Sequence, residues 1–195
     1  MHTLILNADA TPLSQLPLSV VHWKKAIHLY FLEKIKIIKD YDDWVVRSEK
    51  LTMKVPSIAM MVDQVNTKRS VKYSRSNVYL RDDFRCQLQI TSYCSSVMGR
   101  VDYSQLTIDH VYPRAFGGRT TWTNVCTSCL ACNLKKGDDP SIFPIRPPHR
   151  PSFHEILYKR KQVPINIMDI DWADYIGWPE HLLILKNNSL IPSCE

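Results

Sequence analysis

The stretch that most restricts what this chain can fold into is 106–137, LTIDHVYPRAFGGRTTWTNVCTSCLACNLKKG. A short apolar run, Leu106 to Ile108, ends in the dipeptide Asp109-His110, and a Gly117-Gly118 loop follows. Asn124 opens a second short run that closes on Cys129-Leu-Ala-Cys132, with Asn133 and Lys136 directly after it. Three of the five glycines in the protein fall here. Glycine serves where the backbone must turn sharply or reach positive φ. The most demanding backbone geometry therefore coincides with the best metal ligands and the best candidate general base.

Cys129 and Cys132 form a C-x2-C knuckle, which needs two further thiolates to complete a tetrahedral zinc site. Cys86 is the natural third ligand. A second C-x2-C would place the fourth at position 89, which is Gln89. Cys94 is chosen instead, at the expense of an enlarged first loop. Cys126 competes for the role, but its place on the expected second strand favours a packed thiol. Cys194, close to the last residue, is expected to be free. Six cysteines in a reducing compartment read as ligands and core residues rather than disulfides.

Composition bounds the rest. A length of 195 residues with 45% hydrophobic content suits one domain with appended lobes and a real core. No apolar run reaches the roughly 18 residues that span a membrane. The first residues lack the basic flank and cleavage site of a secretory signal, so a soluble, cytoplasmic protein without membrane association is expected. The net charge of +6 and pI near 9.0 permit a nucleic-acid partner without demanding one. Its distribution says more. Lys68, Arg69, Lys72, Arg75, Arg81 and Arg85 precede the central stretch, and Arg146, Arg150, Lys159, Arg160 and Lys161 follow it. Two basic clusters flanking one site point to a phosphate-binding surface.

Along the chain, residues 2–7 read as a strand and 7–12 as a turn. Ser19 is a plausible N-cap for an amphipathic helix over 20–32, where Val20, Trp23, Ile27, Tyr30 and Phe31 recur at helical spacing. Residues 34–39 and 44–47 look like a β-hairpin around Asp40-Tyr-Asp-Asp43. Ser76 could cap a short helix, Asn77 to Arg81. Pro144, Pro147, Pro148 and Pro151 favour an extended, surface-wrapping segment. Trp172, Tyr175, Ile176, Trp178 and Leu182 to Leu185 should dock back on the body. Three parts result: an N-terminal α+β lobe over 1–70, a central domain over 71–140, and a Pro-rich wrap with a docking segment over 141–195.

Hydrolysis of a phosphodiester needs a base for the attacking water and a cation for the charge building on the phosphate. Imidazole suits the first task near neutral pH. An adjacent carboxylate offers a hard oxygen to Mg²⁺. Adjacent strand residues point to opposite faces, so Asp109 and His110 can share one site only where the strand end twists. The set Asp109-His110-Val-Tyr-Pro-Arg114, Gly117-Gly118, Thr121-Trp122-Thr123-Asn124 and Cys129-x-x-Cys132-Asn133-x-x-Lys136-Gly137 resembles the HNH nuclease motif, in its zinc-stapled branch. Leu4-Ile-Leu-Asn7, Pro12-Leu13 and the Trp-Lys-Lys-Ala-Ile segment resemble the N-terminal lobe of a group of bacterial and phage HNH proteins. Arg146-Pro-Pro-His-Arg-Pro151 resembles the segment that follows the motif in that group. Cys86-Gln-Leu-Gln89 departs from that group's C-x2-C.

The residues' own pattern assigns the structural Zn²⁺ to Cys86, Cys94, Cys129 and Cys132; the resemblance implies an α+β fold with a zinc-stapled ββα-metal core. It implies a metal-dependent DNA endonuclease in which His110 activates water and Asp109 and Asn133 hold a catalytic Mg²⁺ or Mn²⁺. Asn124 braces the loop, and the products carry 5′-phosphate and 3′-hydroxyl ends. Lys72, Arg75, Arg85, Arg114, Arg119 and Lys136 are the candidate DNA contacts. The expected substrate is double-stranded, the expected state a monomer or homodimer, and the expected setting a bacterial or phage-infected cytoplasm. The competing reading is a zinc-containing nucleic-acid-binding module without catalysis. A zinc deaminase fails, because His110 is not in an H-x-E sequence and Ser128, not proline, precedes Cys129.

Overall fold

Residues 1–68 and 161–195, far apart in sequence, belong to one unit, and 69–160 form the other. The computed structural model describes residues 2–49, 51–67, 70–94, 96 and 103–186. The architecture is mixed α+β in both units.

The first unit is built on strand β1 (His2–Leu6), which pairs antiparallel with β2 (Val20–His22). Helix α1 (Trp23–Phe31) follows, then β3 (Ile35–Ser48) and β4 (Leu51–Met61). The sheet order is β2-β1-β4-β3, with β1 and β4 parallel. Side chains alternate across a strand, so β1 feeds two layers. Ile5 packs with Ala59 and with Ala26 of α1. Leu4 and Leu6 pack with Ile58, and the tail residues Ile165, Ile167, Trp172, Ile176 and Trp178 cover that face.

Two local expectations are corrected here. The helix does not begin at Val20. The β-branched Val20 and Val21 extend the edge of β1 instead, and Ser19 donates its hydroxyl to the Ile5 carbonyl. His22 is the N-cap, its Nδ1 accepting from the Lys24 amide at 3.4 Å. The hairpin expected around residues 40–43 is one continuous strand, β3, with irregular register from Ile37 to Val45. Its turn lies between Ser48 and Leu51, where pairing with β4 starts.

In the second unit, α2 (Arg75–Arg81) is capped by Ser74, whose Oγ accepts from the Asn77 amide at 3.2 Å. Ser74, not Ser76, is the capping residue because it alone is extended and outside the helix. Strands β5 (Leu106–His110) and β6 (Val125–Cys129) pair antiparallel from Leu106↔Cys129 to His110↔Val125. Helix α3 (Leu130–Lys136) leaves β6 without a linker, Cys129 being both last strand residue and N-cap. The proline-rich segment carries no regular structure until α4 (Phe153–Arg160), and Ile145 donates its amide to the Gln87 carbonyl.

The tail continues through β7 (Ile165–Ile167), α5 (Ala173–Ile176) and β8 (Leu183–Leu185), with β7 and β8 parallel. The segment 141–195 is thus divided, residues 141–160 folding with the second unit and 161–186 with the first. The tail's apolar side chains supply the cover that the Leu4, Leu6 and Ile58 face lacks. No helix among the described residues is long and apolar enough to cross a membrane.

Candidate functional site

The ββα element of β5, β6 and α3 carries two sites at opposite ends of its short strands. At the β6–α3 junction, Cys86, Cys94, Cys129 and Cys132 bring four buried thiols within 4.8 Å of one another. The Cys129 and Cys94 sulfurs stand 3.9 Å apart. Thiolates around a tetrahedral zinc ion lie about 3.8 Å apart for Zn–S bonds near ~2.3 Å. The donor set and its spacing therefore fit zinc.

Each ligand is delivered by a different device. Cys129 ends β6, and Cys132 sits one helical turn on. Cys86 follows a backbone that turns through positive φ at Asp83 and Phe84. The loop from Gln87 to Cys94 is pinned to β6 by the Gln87 amide on the Thr127 carbonyl, at 2.8 Å. Gln89, exposed and at positive φ, donates its side chain to the Cys86 carbonyl instead of offering a ligand. Burial pushes the Cys86 thiol up. At Cys132 burial acts in the same direction, but hydrogen bonding from Thr91, Cys129 and nearby backbone outweighs it and brings the thiol down to about 7.

Cys94 is the fourth thiol of the group, and Cys126 is not among the four. Positions 126 and 129 differ by an odd number along a strand, so their side chains leave opposite faces. Cys126 faces Asp109 across the hairpin. Burial first, then the carboxylates of Asp109 and Asp82, push its thiol up to about 12. Cys194 lies outside the described residues, as do Lys68 and Arg69.

At the far end of the strands an open cleft of about 190 Å³ is lined by Asp109, His110, Arg114, Asn133 and Gly137, among others. The Asp109-His110 pair thus reaches one site from the end of β5. Asp109 is buried and its Oδ2 accepts no hydrogen bond. The Lys136 ammonium stands 3.1 Å from that oxygen as an ion pair. Burial pushes the Asp109 carboxyl up, against the pull of Lys136 and His110. Asn133 donates its amide nitrogen to Thr107 Oγ1 at 2.9 Å, which leaves the amide oxygen to offer a cation. A carboxylate oxygen and an amide oxygen lining one cleft are hard donors, suited to Mg²⁺ or Mn²⁺.

His110 is part-exposed, with Nε2 2.8 Å from Thr120 Oγ1. Burial lowers its pKa, Arg114 adds to that, and Asp109 opposes it. These effects together favour the neutral ring. In the tautomer that donates from Nε2 to Thr120, the Nδ1 lone pair is left to take a proton. Asn124 closes the loop between the strands. Its Oδ1 accepts from the Tyr112 amide at 2.8 Å, and its Nδ2 donates to the carbonyls of Tyr112 and Arg119 at 3.1 and 2.9 Å. Gly118 is forced by close approach, since a Cβ there would lie 1.9 Å from the Tyr112 carbonyl oxygen.

The basic candidates divide. Lys72, Arg75, Arg85, Arg114 and Arg119 are solvent-exposed. Lys136 is not a surface phosphate contact. It is the last residue of α3, not a helix-start residue, and its buried ammonium donates to the His110 carbonyl at 2.9 Å. Arg81 is also withdrawn from the basic surface. Its guanidinium forms a buried bidentate pair with Asp82 at 2.8 and 3.0 Å and donates to the carbonyls of Trp122, Val125 and His149. Asp82 in turn accepts from the Thr127 amide at 2.7 Å. In the downstream cluster, Arg146 and Lys159 are both spent on Asp83.

Sequence reasoning missed Thr120 and Thr107, which orient His110 and Asn133, and the Arg81–Asp82 pair, which ties α2 to β6. Nothing in spacing marks the two threonines. The adjacent opposite charges of Arg81-Asp82 at a helix end were the only visible signal of the pair.

A family model described as the HNH endonuclease-associated N-terminal domain matches residues 3–69, and one described as HNH endonuclease matches residues 93–141. The second match contains Cys94, the whole cleft and the C-x2-C knuckle. No curated protein and no solved structure matches the chain.

Proposed function

We propose, for a chain that belongs to the HNH endonuclease family with its associated N-terminal domain, that the cleft hydrolyses phosphodiester bonds in DNA. The observation that carries this reading is one cleft lined by His110, Asp109 and Asn133 together, with an Asp109 oxygen that accepts no hydrogen bond. His110, its Nε2 held by Thr120, takes the proton of the attacking water at Nδ1. The water oxygen bonds to phosphorus and the bond from phosphorus to the 3′ oxygen breaks. This leaves a 5′-phosphate and, after proton uptake from solvent, a 3′-hydroxyl.

Asp109 Oδ2 and the Asn133 amide oxygen would hold Mg²⁺ or Mn²⁺. When bound, such an ion neutralises charge on the phosphate and leaving oxygen. Asn124 keeps the loop closed so that His110 is aimed. Arg114 meets the phosphate at the cleft mouth, and Lys72, Arg75, Arg85 and Arg119 supply exposed positive charge nearby in the chain. Zn²⁺ at the four cysteines is structural. It fixes the start of α3 and thereby the position of Asn133.

The test is incubation of the purified chain with supercoiled plasmid, with Mg²⁺, with Mn²⁺ and with chelator. Metal-dependent nicking is expected, with 5′-phosphate ends on product analysis. His110→Ala should lower the rate by about 10²–10⁴-fold while leaving DNA binding intact. Undiminished cleavage by that variant would sink the mechanism. DNA binding without cleavage by the unmodified chain would establish the non-catalytic reading instead.

A further inference from the structure

Tyr112 and Phe116 lie on the segment that leaves His110 and runs past the cleft, and they are 51% and 53% exposed. Large apolar rings usually find cover when the chain around them can move. This segment is held from several sides. The amides of Phe116 and Gly118 both donate to the Pro113 carbonyl, at 3.1 and 3.0 Å, and Gly117 donates to the Arg114 carbonyl at 2.9 Å. Pro113 is buried. Asn124 clamps both the N–H and the C=O of Tyr112. Gly118 sits so close to Tyr112 that no Cβ fits between them. The two rings stand 6.3 Å apart, tilted by 45°, and neither covers the face of the other.

The charged residues of the segment 111–124 are both arginines. Arg114 lies between the two aromatics in sequence and lines the cleft. Arg119 follows Phe116, and both arginines are exposed. A fixed pair of open aromatic faces among exposed cations is chemistry for a nucleotide whose base is free of its own stack. Bases in a continuous duplex have their π-faces covered by neighbours, so such a pair gains nothing from them. An unpaired base offers a bare face to either ring, and stacking of this kind tolerates any base. Because the backbone here is already fixed, little ordering entropy opposes the contact.

We propose that Tyr112 and Phe116 form a stacking platform for an unpaired base next to the scissile phosphate. The preferred substrate is then duplex DNA interrupted by a short single-stranded segment, such as a gap or bulge. This rests on the nuclease reading of the adjacent cleft and narrows its substrate class.

The experiment uses full-length His110→Ala protein, to hold DNA uncut, and fluorescence anisotropy with two DNAs of the same length. One is a continuous duplex, and the other carries a short gap with 2-aminopurine at the unpaired position. The gapped DNA should bind at least about tenfold more tightly, with quenching of the 2-aminopurine. Adding Tyr112→Ala and Phe116→Ala should remove that preference, by roughly tenfold per ring, without altering continuous-duplex binding or zinc content. Phe116→Tyr should keep it. Equal binding of the two DNAs, or a preference that survives loss of both rings, would overturn the platform and leave the nuclease reading standing. Failure of the unmodified chain to cleave any DNA would overturn the nuclease reading on its own. A dimer in sedimentation that dissociates on Phe116→Ala would assign the rings to a second copy of the chain and overturn the proposal.

Discussion

In the first unit the buried side chains are hydrocarbon: Leu4, Leu6, Ile58, Ile167, Trp172 and Ile176 meet on one face of a four-stranded sheet. The second adds sulfur and charge to hydrocarbon such as Val78, Val125 and Ile156. Five cysteines share a buried cluster with Leu88, packed against Ile90, Val111, Ala131 and Ile142, and Arg81–Asp82 and Lys136–Asp109 are ion pairs withdrawn from water. The first arrangement is held by non-directional burial, roughly 25 cal/mol per Å² of apolar surface. The second is held by directional groups that cost free energy unless each partner is in place. Hydrocarbon tolerates small errors of position. The proposed nuclease cleft, with its base and metal-holding oxygen on neighbouring residues, would not, and the second unit is the one that carries it.

The strongest way to break this contrast is to remove the zinc proposed for the four cysteines. Structural zinc is worth about 10–16 kcal/mol to small domains, so stripping it with a strong chelator should unfold residues 69–160 while the sheet of the first unit survives. Hydrogen exchange resolved by peptide checks this, and unchanged protection of β5, β6 and α3 would refute the staple. Next in size is Arg81→Met. It leaves the buried Asp82 carboxylate without its counter-ion and three carbonyls without the guanidinium, and the expected loss is about 3–5 kcal/mol in denaturant unfolding of the second unit. A loss under about 1 kcal/mol would put this variant among ordinary surface changes.

The hydrocarbon side of the comparison is sharpened by Ile58→Ala. A cavity under β4 should cost the first unit about 2–5 kcal/mol, with zinc content unchanged. A parallel fall in zinc would show that the two cores share one fate. The smallest effect concerns pH. A general base works only when unprotonated. His110 has its pKa lowered from 6.5 by burial and then by Arg114, so the acid limb of cleavage should fall below pH 6.5. Arg114→Gln removes a charge that opposes protonation and should move the limb upward. A downward shift would contradict the assignment.

Spacing together with the resemblance to the HNH motif singled out Asp109, His110, Asn124, Cys129, Cys132 and Asn133, and strand and helix periods explain how such residues can meet over a short hairpin and one helical turn. It also carried β1 and the docking of Trp172 and Ile176, since apolar runs have few places to go. What stayed hidden depended on long-range partners. The sequence marked two candidates for the fourth thiol, and only the path of the loop from Gln87 to Cys94 decided between them. Lys136 and Arg81 looked like surface cations. A charged residue is driven inside only when partners distant in sequence meet it there, His110 and Asp109 for the one, Trp122, Val125 and His149 for the other. Likewise β3 read as a hairpin until β4 supplied the strand it pairs with. Local chemistry, then, set which groups this protein has available for the proposed chemistry. Tertiary structure decided which charges reach solvent and which sulfurs converge, because those outcomes rest on partners that no local pattern contains.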